Sequence, residues 1–258
     1  MRVLAFSSIK GGVGKTTLAV HVAAALADSG KRTLLIDLDP QGHSSMMAGI
    51  VLGPEEACAA DALGSRPRKK MDQVIRTGNR PGLWIAPASN RMVELERDLF
   101  RWGHRLSAIP RALDNLPEEF DAVVVDTPPQ LNAFTEAALA YGDVVVVPIP
   151  AMAHALQGLE EIRAAWKDAT DGSGGVMTGA VNLWDRRTSA TNSAMEGAFE
   201  DISVPLTRSR VLRAEAVNQA GLAFELVYEY APTSEVAGNL RDLASELWRM
   251  AGRSQSRN

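Results

Sequence analysis

The segment from Lys10 to Thr17 reads Lys-Gly-Gly-Val-Gly-Lys-Thr-Thr and combines the residue types that can hold phosphate groups. It lies between a short apolar stretch and an apolar-periodic one, which is the strand–loop–helix context of a phosphate-binding loop. Glycines let backbone N–H groups turn towards phosphate oxygens, and the start of the following helix adds positive potential. Lys15 can contact the outer phosphates, and the Thr16 hydroxyl can bind Mg²⁺. The alternative is a glycine-rich turn with an incidental lysine, which the flanking elements disfavour.

The loop carries a second lysine, Lys10, and departs from the general phosphate-loop pattern at Ile9, where that pattern has glycine. Two lysines in one loop repel each other unless both face negative charge, such as that of a triphosphate. We therefore expect Lys10 to neutralise charge that develops on the transferring phosphoryl group.

Three aspartates stand at or just after the ends of apolar runs, at Asp37, Asp39 and Asp126. These positions are the carboxyl ends of predicted strands, where open α/β sheets bind ligands. A single aspartate at such a place often only caps a helix, and Asp37 taken alone could do no more than cap its turn. Three carboxylates on strands that flank a phosphate loop favour a functional site.

The elements that must position these residues alternate along the chain. Continuously apolar runs are typical of parallel strands covered on both faces, and helices between them give a doubly wound sheet. The predicted strands are Val3–Ser7, Thr33–Asp37, Leu83–Ala86, Ala122–Asp126, Val144–Pro148 and Val176–Asn182. The predicted helices are Lys15–Ser29, Asn90–Arg101, Ala133–Ala140, His154–Thr170 and Ser234–Met250. The predicted fold is therefore α/β, a mostly parallel, Rossmann-like sheet of the P-loop NTPase kind with helices on both faces.

Composition narrows the class of protein. The 258 residues include 27 Lys and Arg against 31 Asp and Glu, a formal net charge of −4 that disfavours a wholly basic nucleic-acid coat protein. Cys58 is the only cysteine, so an intramolecular disulfide and a cysteine-ligated zinc or iron–sulfur site are excluded within one chain, and a reduced cytoplasmic setting fits. No apolar run approaches a membrane span. We predict one domain over residues 1–251 and a disordered tail over residues 252–258.

The phosphate loop and both acidic segments resemble one known family. Lys10–Thr17 is similar to the deviant Walker A box of the ParA/MinD ATPases. Leu34–Gly42 resembles their second acidic box, and Val123–Pro129 resembles their Walker B and switch region. The Asp-Pro-Gln-Gly sequence at Asp39–Gly42 looks more like the ParA partition branch than the MinD branch.

The resemblance implies ATP with Mg²⁺ and two subunits that enclose the nucleotide between them. The lysine that matches Lys10 reaches the partner's phosphates, and the aspartate that matches Asp39 positions or activates water. The implied catalytic residues are Lys10, Lys15 and Asp39, and the implied magnesium residues are Thr16, Asp37 and Asp126. The implied nucleotide-binding residues are Lys10, Gly11, Gly12, Val13, Gly14, Lys15, Thr16, Thr17 and Asn182.

Asn182 opens Asn-Leu-Trp-Asp after an apolar strand, in a position similar to the Asn-Lys-x-Asp guanine reader of GTPases. The lysine of that motif is missing, and the resemblance implies ATP. Asn182 could hydrogen-bond adenine or could simply form a turn.

Three arginines form a candidate DNA-binding cluster, namely Arg208, Arg210 and Arg213. Arg213 falls near an arginine that contacts DNA backbone in ParA relatives, and backbone binding needs only such charge. The alternative is a solvated arginine face. The family has a second basic segment, Ser-Arg-Gly, before the last helix. This chain has Ser234-Glu235-Val236 there, and the acidic Glu235 counts against a second DNA contact at that position.

These features predict a cytoplasmic, nucleoid-associated ATPase that positions a plasmid, chromosome or protein organelle. It would dimerise on ATP, bind DNA non-specifically and respond to a ParB-like or other cargo adaptor. One alternative is a MinD-like membrane-surface ATPase anchored by its C-terminal helix. Leu240, Leu243 and Leu247 in that helix favour core packing, so no membrane partner is expected. Another alternative is a metabolic enzyme on the same scaffold, such as a phosphoryl-transferring ligase.

Overall fold

A single sheet organises the chain in the computed structural model, which describes residues 1–64, 66–103, 105–114, 116, 120–152, 155–172, 174–200, 202 and 204–255. The strands found among them are β1 (Arg2–Phe6), β2 (Thr33–Asp37), β3 (Arg76–Thr77), β4 (Leu83–Ala86), β5 (Ala122–Asp126), β6 (Val144–Pro150) and β7 (Val176–Asn182). The α-helices are α1 (Lys15–Asp28), α2 (His43–Met47), α3 (Ala59–Leu63), α4 (Arg91–Trp102), α5 (Ala108–Leu113), α6 (Ala133–Tyr141), α7 (Ala155–Thr170), α8 (Ser189–Glu200), α9 (Glu215–Leu222), α10 (Val227–Tyr230) and α11 (Glu235–Gln255).

The strand order is β3-β4-β2-β5-β1-β6-β7, and each pairing is parallel except the antiparallel pair β3–β4. The carboxyl ends of β1, β2 and β5 therefore meet at one edge of the sheet. The predicted doubly wound, mostly parallel α/β fold is confirmed.

Helices cover both faces of the sheet, and β1 shows how. Leu4 and Phe6 point to the face that α1 and α11 cover, whereas Val3 and Ala5 point to the face beneath α4 and α6. All four side chains are buried. Burial on both faces explains why the strands are continuously apolar in sequence.

The predicted bounds of β2, β4, β5 and β7 are confirmed, and β1 and β6 differ by one or two residues at their ends. His154, the first residue of one predicted helix, lies outside the described residues. The sequence analysis missed β3 and six helices, which are α2, α3, α5, α8, α9 and α10. Most of them are too short to show a clear periodicity, because five residues make little more than one helical turn.

The predicted disordered tail is wrong for residues 252–255, because α11 continues through Gly252 to Gln255. The rest of that prediction, residues 256–258, lies outside the described residues. Ala251 and Ser254 are buried in this last turn. Gly252 lies against the guanidinium of Arg2, and a Cβ there would stand 2.8 Å from Arg2 Nη2. Contact with the start of β1 therefore keeps the chain helical beyond the predicted end of the domain.

The prediction that α11 packs in the core is confirmed, since Leu240, Leu243 and Leu247 are fully buried. Arg2 stacks on Trp248 at 4.0 Å and donates a hydrogen bond to its carbonyl oxygen. Among the described residues, no helix has both the length and the apolar character that crossing a bilayer requires.

Candidate nucleotide-binding site

The phosphate loop joins β1 to α1, and its glycines adopt conformations that other residues disfavour. Gly12 and Gly14 have φ of 75° and 84°. A Cβ at Gly14 would also lie 2.3 Å from the Asn182 side chain, so this position has no room for a larger residue. The carbonyl of Gly14 accepts the first hydrogen bond of α1, from Leu18 N at 2.9 Å.

A cavity of about 310 Å³ opens over this loop. Its lining residues are Lys10, Gly11, Gly12, Val13, Gly14, Lys15, Thr16, Thr17, Asp39, Gln41, His43 and Pro129. The structure thus brings Asp39 and the predicted phosphate-binding residues to one cavity. His43 was missed in the sequence analysis, and its place directly after the Asp-Pro-Gln-Gly segment was the available signal.

Lys15 and Asp126 form a buried ion pair at the base of this cavity. Lys15 Nζ lies 2.5 Å from Asp126 Oδ1, and the side chains are 6% and 0% exposed. Lys15 Nζ also lies 3.3 Å from Thr16 Oγ1. Lys15 therefore contacts both Thr16 and Asp126, two of the predicted magnesium residues.

Asp126 Oδ2 is buried and has no hydrogen-bond partner in the part of the chain that the structure describes. A buried carboxylate oxygen without a partner is energetically costly. Mg²⁺ prefers oxygen ligands and is usually bound by one or two carboxylates together with phosphates and water. Asp126 and the Thr16 hydroxyl therefore fit a magnesium ion at this position.

Asp37 stands directly beside Asp126 in the register of β2 and β5, and both are fully buried. Its Oδ2 accepts hydrogen bonds from Ser45 N at 2.9 Å and Ser45 Oγ at 2.6 Å, and its Oδ1 accepts one from Asp39 N at 3.1 Å. Burial, followed by the negative charge of Asp126, raises the pKa of Asp37 to about 7. Asp37 thus positions α2 and the Asp39 turn, and its predicted support of magnesium stays a prediction.

Asp39 begins the turn that leads into α2 and is half-buried. Its Oδ1 accepts a hydrogen bond from Gln41 N at 3.0 Å, which fixes the carboxylate over the cavity. A carboxylate held beside a phosphate site can orient or deprotonate water.

Lys10 forms the rim of the cavity opposite this turn. Its backbone N–H donates to Ser8 Oγ at 3.1 Å, and the Ser8 hydroxyl donates back to the Lys10 carbonyl at 3.3 Å. A Cβ at Gly158 would lie 3.8 Å from Lys10 Cδ and Cε, so the aliphatic part of Lys10 runs over Gly158 in α7. A methyl group at Gly158 would therefore make an ordinary van der Waals contact with Lys10.

Asn182 has a structural role that the sequence analysis did not consider. Its Nδ2 donates a 2.8 Å hydrogen bond to the carbonyl of Val13, and the residue is only 3% exposed. The end of β7 therefore supports the phosphate loop. The adenine contact of Asn182 stays a prediction.

His21, one turn into α1, is a second support that sequence reasoning missed. Val227 N donates to His21 Nε2 at 3.0 Å, so the neutral ring carries its proton on Nδ1, which donates to Thr17 O at 2.7 Å. Tyr228 also donates its hydroxyl to the His21 carbonyl at 3.0 Å. Burial lowers the pKa of His21 to about 4. Only the tertiary neighbours of His21 identify this role.

The three arginines predicted to bind DNA differ in their surroundings. Arg210 pairs with Glu196 at 2.6 Å and lies 4.4 Å from the centre of the Trp184 ring. Arg208 and Arg213 are exposed on either side of it. DNA contact by Arg208, Arg210 and Arg213 stays a prediction.

Sequence comparisons agree with this geometry. A family model described as "AAA domain" matches residues 1–172. The chromosome partitioning protein ParA of Caulobacter vibrioides is 35% identical over 212 residues, which are 78% of this chain and 75% of that protein. The chain belongs to the ParA/MinD family. This confirms the family that the phosphate loop and the acidic segments predicted by their resemblance.

Two further comparisons show a second similar sequence and a similar solved structure. The sporulation initiation inhibitor protein Soj of Bacillus subtilis is 34% identical over 161 residues, 62% of this chain and 63% of Soj, so the chain matches less than two thirds of that relative. A crystal structure of cobyrinic acid a,c-diamide synthase from Mycobacterium smegmatis with bound ADP and magnesium superposes with a TM-score of 0.80. The superposed region has 25% sequence identity and covers 98% of this chain and 97% of the synthase chain.

Proposed function

We propose that this protein is an ATPase that dimerises on ATP and positions a cargo on DNA. The observation that carries the proposal is the single cavity that collects Lys10, Lys15, Thr16 and Asp39. Its relatives include proteins named for chromosome partitioning. A similar structure holds ADP with magnesium, which supports the same ligands here.

The loop residues act in the first step by holding the phosphates. Backbone N–H groups of Gly11–Gly14 cradle the phosphate oxygens, and Lys15 turns from Asp126 towards the outer phosphates. Asp126 and Thr16 then hold the magnesium ion, which when bound neutralises phosphate charge. The exchange gives Lys15 and Asp126 new partners of opposite charge.

Hydrolysis and dimerisation depend on the cavity rim. Asp39 orients the attacking water, because Gln41 N donates to its carboxylate beside the phosphate position and Asp37 accepts from its backbone N–H. Lys10 extends over Gly158 towards a second subunit and contacts that subunit's phosphates. The bound nucleotide therefore determines whether the protein is a monomer or a dimer.

The dimer binds nucleoid DNA without sequence preference, and a ParB-like or other adaptor protein stimulates hydrolysis and release. A partition role is favoured over a MinD-like membrane role because α11 uses its leucines in the core. An interfacial helix needs such an apolar face for the lipid.

The test is Lys10→Ala, with Lys69→Ala as the control because Lys69 is exposed in a loop that does not line the cavity. Sedimentation and phosphate release are measured with ATP and Mg²⁺. We expect Lys10→Ala to stay monomeric and inactive while Lys69→Ala behaves as the native protein. Survival of dimerisation and hydrolysis in Lys10→Ala would exclude the lysine contact between subunits, and a native protein without ATP turnover would exclude the ATPase.

A metabolic ligase is the second candidate, favoured by the similarity to the cobyrinic acid a,c-diamide synthase structure. The two candidates differ in what accelerates ATP turnover. A small carboxylic acid with an amide donor would stimulate a ligase, whereas DNA with an adaptor protein would stimulate a partition ATPase.

A further inference from the structure

A groove of about 960 Å³ runs between the segment Arg208–Ser209 and the outer face of α11, and we call it the α11 groove. Its lining residues are Arg208, Ser209, Asp242, Ser245, Glu246, Arg249, Met250 and Arg253. It shares no lining residue with the cavity over the phosphate loop. The groove is therefore a separate candidate binding surface.

Glu246 fixes one wall of the groove to the other. Its carboxylate accepts hydrogen bonds from Arg208 N at 2.8 Å, Ser209 N at 3.0 Å and Ser209 Oγ at 2.8 Å. These contacts hold the 208–209 backbone on α11. Both oxygens of Glu246 therefore accept hydrogen bonds from backbone N–H groups and the Ser209 hydroxyl.

Two arginines outside the groove, Arg186 and Arg210, are neutralised by carboxylates. Both terminal nitrogens of Arg186 donate to the carboxylate of Glu235, at 2.5 and 3.1 Å, so Glu235 neutralises the positive charge of Arg186. Arg210 pairs with Glu196. These pairs weaken the case for DNA contact at Arg210 and around Glu235.

Arginines inside the groove are different. Arg208, Arg249 and Arg253 are exposed and form no ion pair within the described ranges. Arg249 and Arg253 are four residues apart on one helix, which places them about 6 Å apart along its axis. A duplex strand carries one phosphate per about 3.4 Å of axis, so both arginines can contact one strand.

We propose that the α11 groove binds the phosphate backbone of DNA through Arg208, Arg249 and Arg253. The inference rests on the proposed function, because it locates the DNA contact of that proposal. It keeps Arg208 and replaces Arg210 and Arg213 by Arg249 and Arg253 on the outer face of the last helix. Ser245 and Ser209 add hydroxyl groups of the kind that bind phosphate oxygens.

DNA fits this surface better than a lipid bilayer does. The leucines of α11 are buried on the opposite side of the helix, and Met250 is the only large apolar residue among those that line the groove. Membrane-surface binding combines charge with an inserted apolar face, whereas binding to a phosphate backbone requires charge alone.

The experiment measures binding of the full chain, with ATP and Mg²⁺, to a random-sequence duplex over a series of salt concentrations. We expect Arg249→Ala and Arg253→Ala each to weaken binding about fivefold and to reduce the salt slope by about one. Arg68→Ala is the matched control, because Arg68 is exposed after α3, on the opposite face of the sheet. Asp242→Asn removes a negative charge from the groove and should strengthen duplex binding. Stronger binding would also show that a substitution in the groove leaves it folded.

The outcomes separate this inference from the proposed function. Loss of binding in Arg213→Ala, with Arg249→Ala and Arg253→Ala unchanged, would overturn the groove and leave DNA binding intact. A native protein that fails to bind the duplex would overturn both. Binding to phosphatidylserine vesicles that needs Arg249, without duplex binding, would assign the groove to a membrane and overturn the inference.

Discussion

The ammonium group of Lys15 lies 2.5 Å from Asp126 Oδ1, and the two side chains are almost completely buried. The pair joins the loop residue that holds phosphate to the strand residue that fits magnesium. Each group thus neutralises the other in the absence of ligand. Breaking a buried pair by removing one partner is strongly destabilising, because the other charge stays buried.

Lys15→Met should therefore lower the free energy of unfolding of the nucleotide-free protein by about 3–5 kcal/mol, besides preventing ATP binding. The double variant Lys15→Met/Asp126→Asn should recover part of that loss, because no buried charge remains unpaired. Chemical denaturation without nucleotide measures both. Equal stability of Lys15→Met and the native protein would contradict the pairing.

Asn182 allows a test between two roles. If its hydrogen bond to Val13 O supports the loop, Asn182→Ala should weaken ATP and GTP binding by a similar factor, about tenfold for one lost buried hydrogen bond. If Asn182 reads adenine, the same change should mainly reduce the preference for ATP over GTP. Titration of Asn182→Ala with ATP and with GTP distinguishes the two roles. We expect a similar loss of affinity for both nucleotides.

The contribution of His21 to stability should fall as the pH drops below 6.5. The folded pKa of His21, about 4, lies below the ordinary histidine value of 6.5, so between these pH values the unfolded state binds a proton that the folded state does not. This contribution is complete above pH 6.5 and decreases by up to about 1.4 kcal/mol per pH unit towards pH 4. Asp37, whose folded pKa is raised to about 7, contributes with the opposite sign over the same range, so the effect of His21 has to be measured as a difference between variants.

The variant His21→Gln tests this assignment, because glutamine keeps polar groups at the site and does not titrate. Denaturation curves should show that the difference in free energy of unfolding between the native protein and His21→Gln changes by up to about 1.4 kcal/mol per pH unit between pH 4 and 6.5. An unchanged slope would place the acid sensitivity elsewhere.

Asp39→Asn should slow ATP hydrolysis by about 10²–10⁴-fold while ATP binding persists. Asparagine keeps an oxygen for Gln41 N, so the turn into α2 is preserved and only the negative charge is lost. Single-turnover phosphate release, measured alongside ATP affinity, checks the prediction. Normal turnover would remove Asp39 from the mechanism.

Leu243→Ala should lower the free energy of unfolding by about 2–5 kcal/mol, because Leu243 is fully buried against the sheet. Ser245→Ala, on the exposed side of the same helix, should change it by less than about 0.5 kcal/mol. Thermal denaturation of both variants compares the two faces. A negligible effect of Leu243→Ala would reopen the possibility of a detachable C-terminal helix.

Much of the fold follows from local sequence. Apolar runs such as Thr33–Asp37 and Ala122–Asp126 predict their strands to the residue, since burial on both faces leaves a contiguous signal. Short elements such as β3 and α2 escape, because two to five residues carry no clear period. The end of α11 also escapes, because its last turn is held by Arg2 at the other end of the chain.

The sequence by itself determined the phosphate loop and the strand-end aspartates, because those groups act through residue type and short spacing. Tertiary structure alone decided which charges pair and which remain available. Lys15 and Asp126 are 111 residues apart, and Asn182 and Val13 are 169 apart. The strand order brings them within hydrogen-bonding distance, and such contacts depend on three-dimensional neighbours that no local pattern encodes.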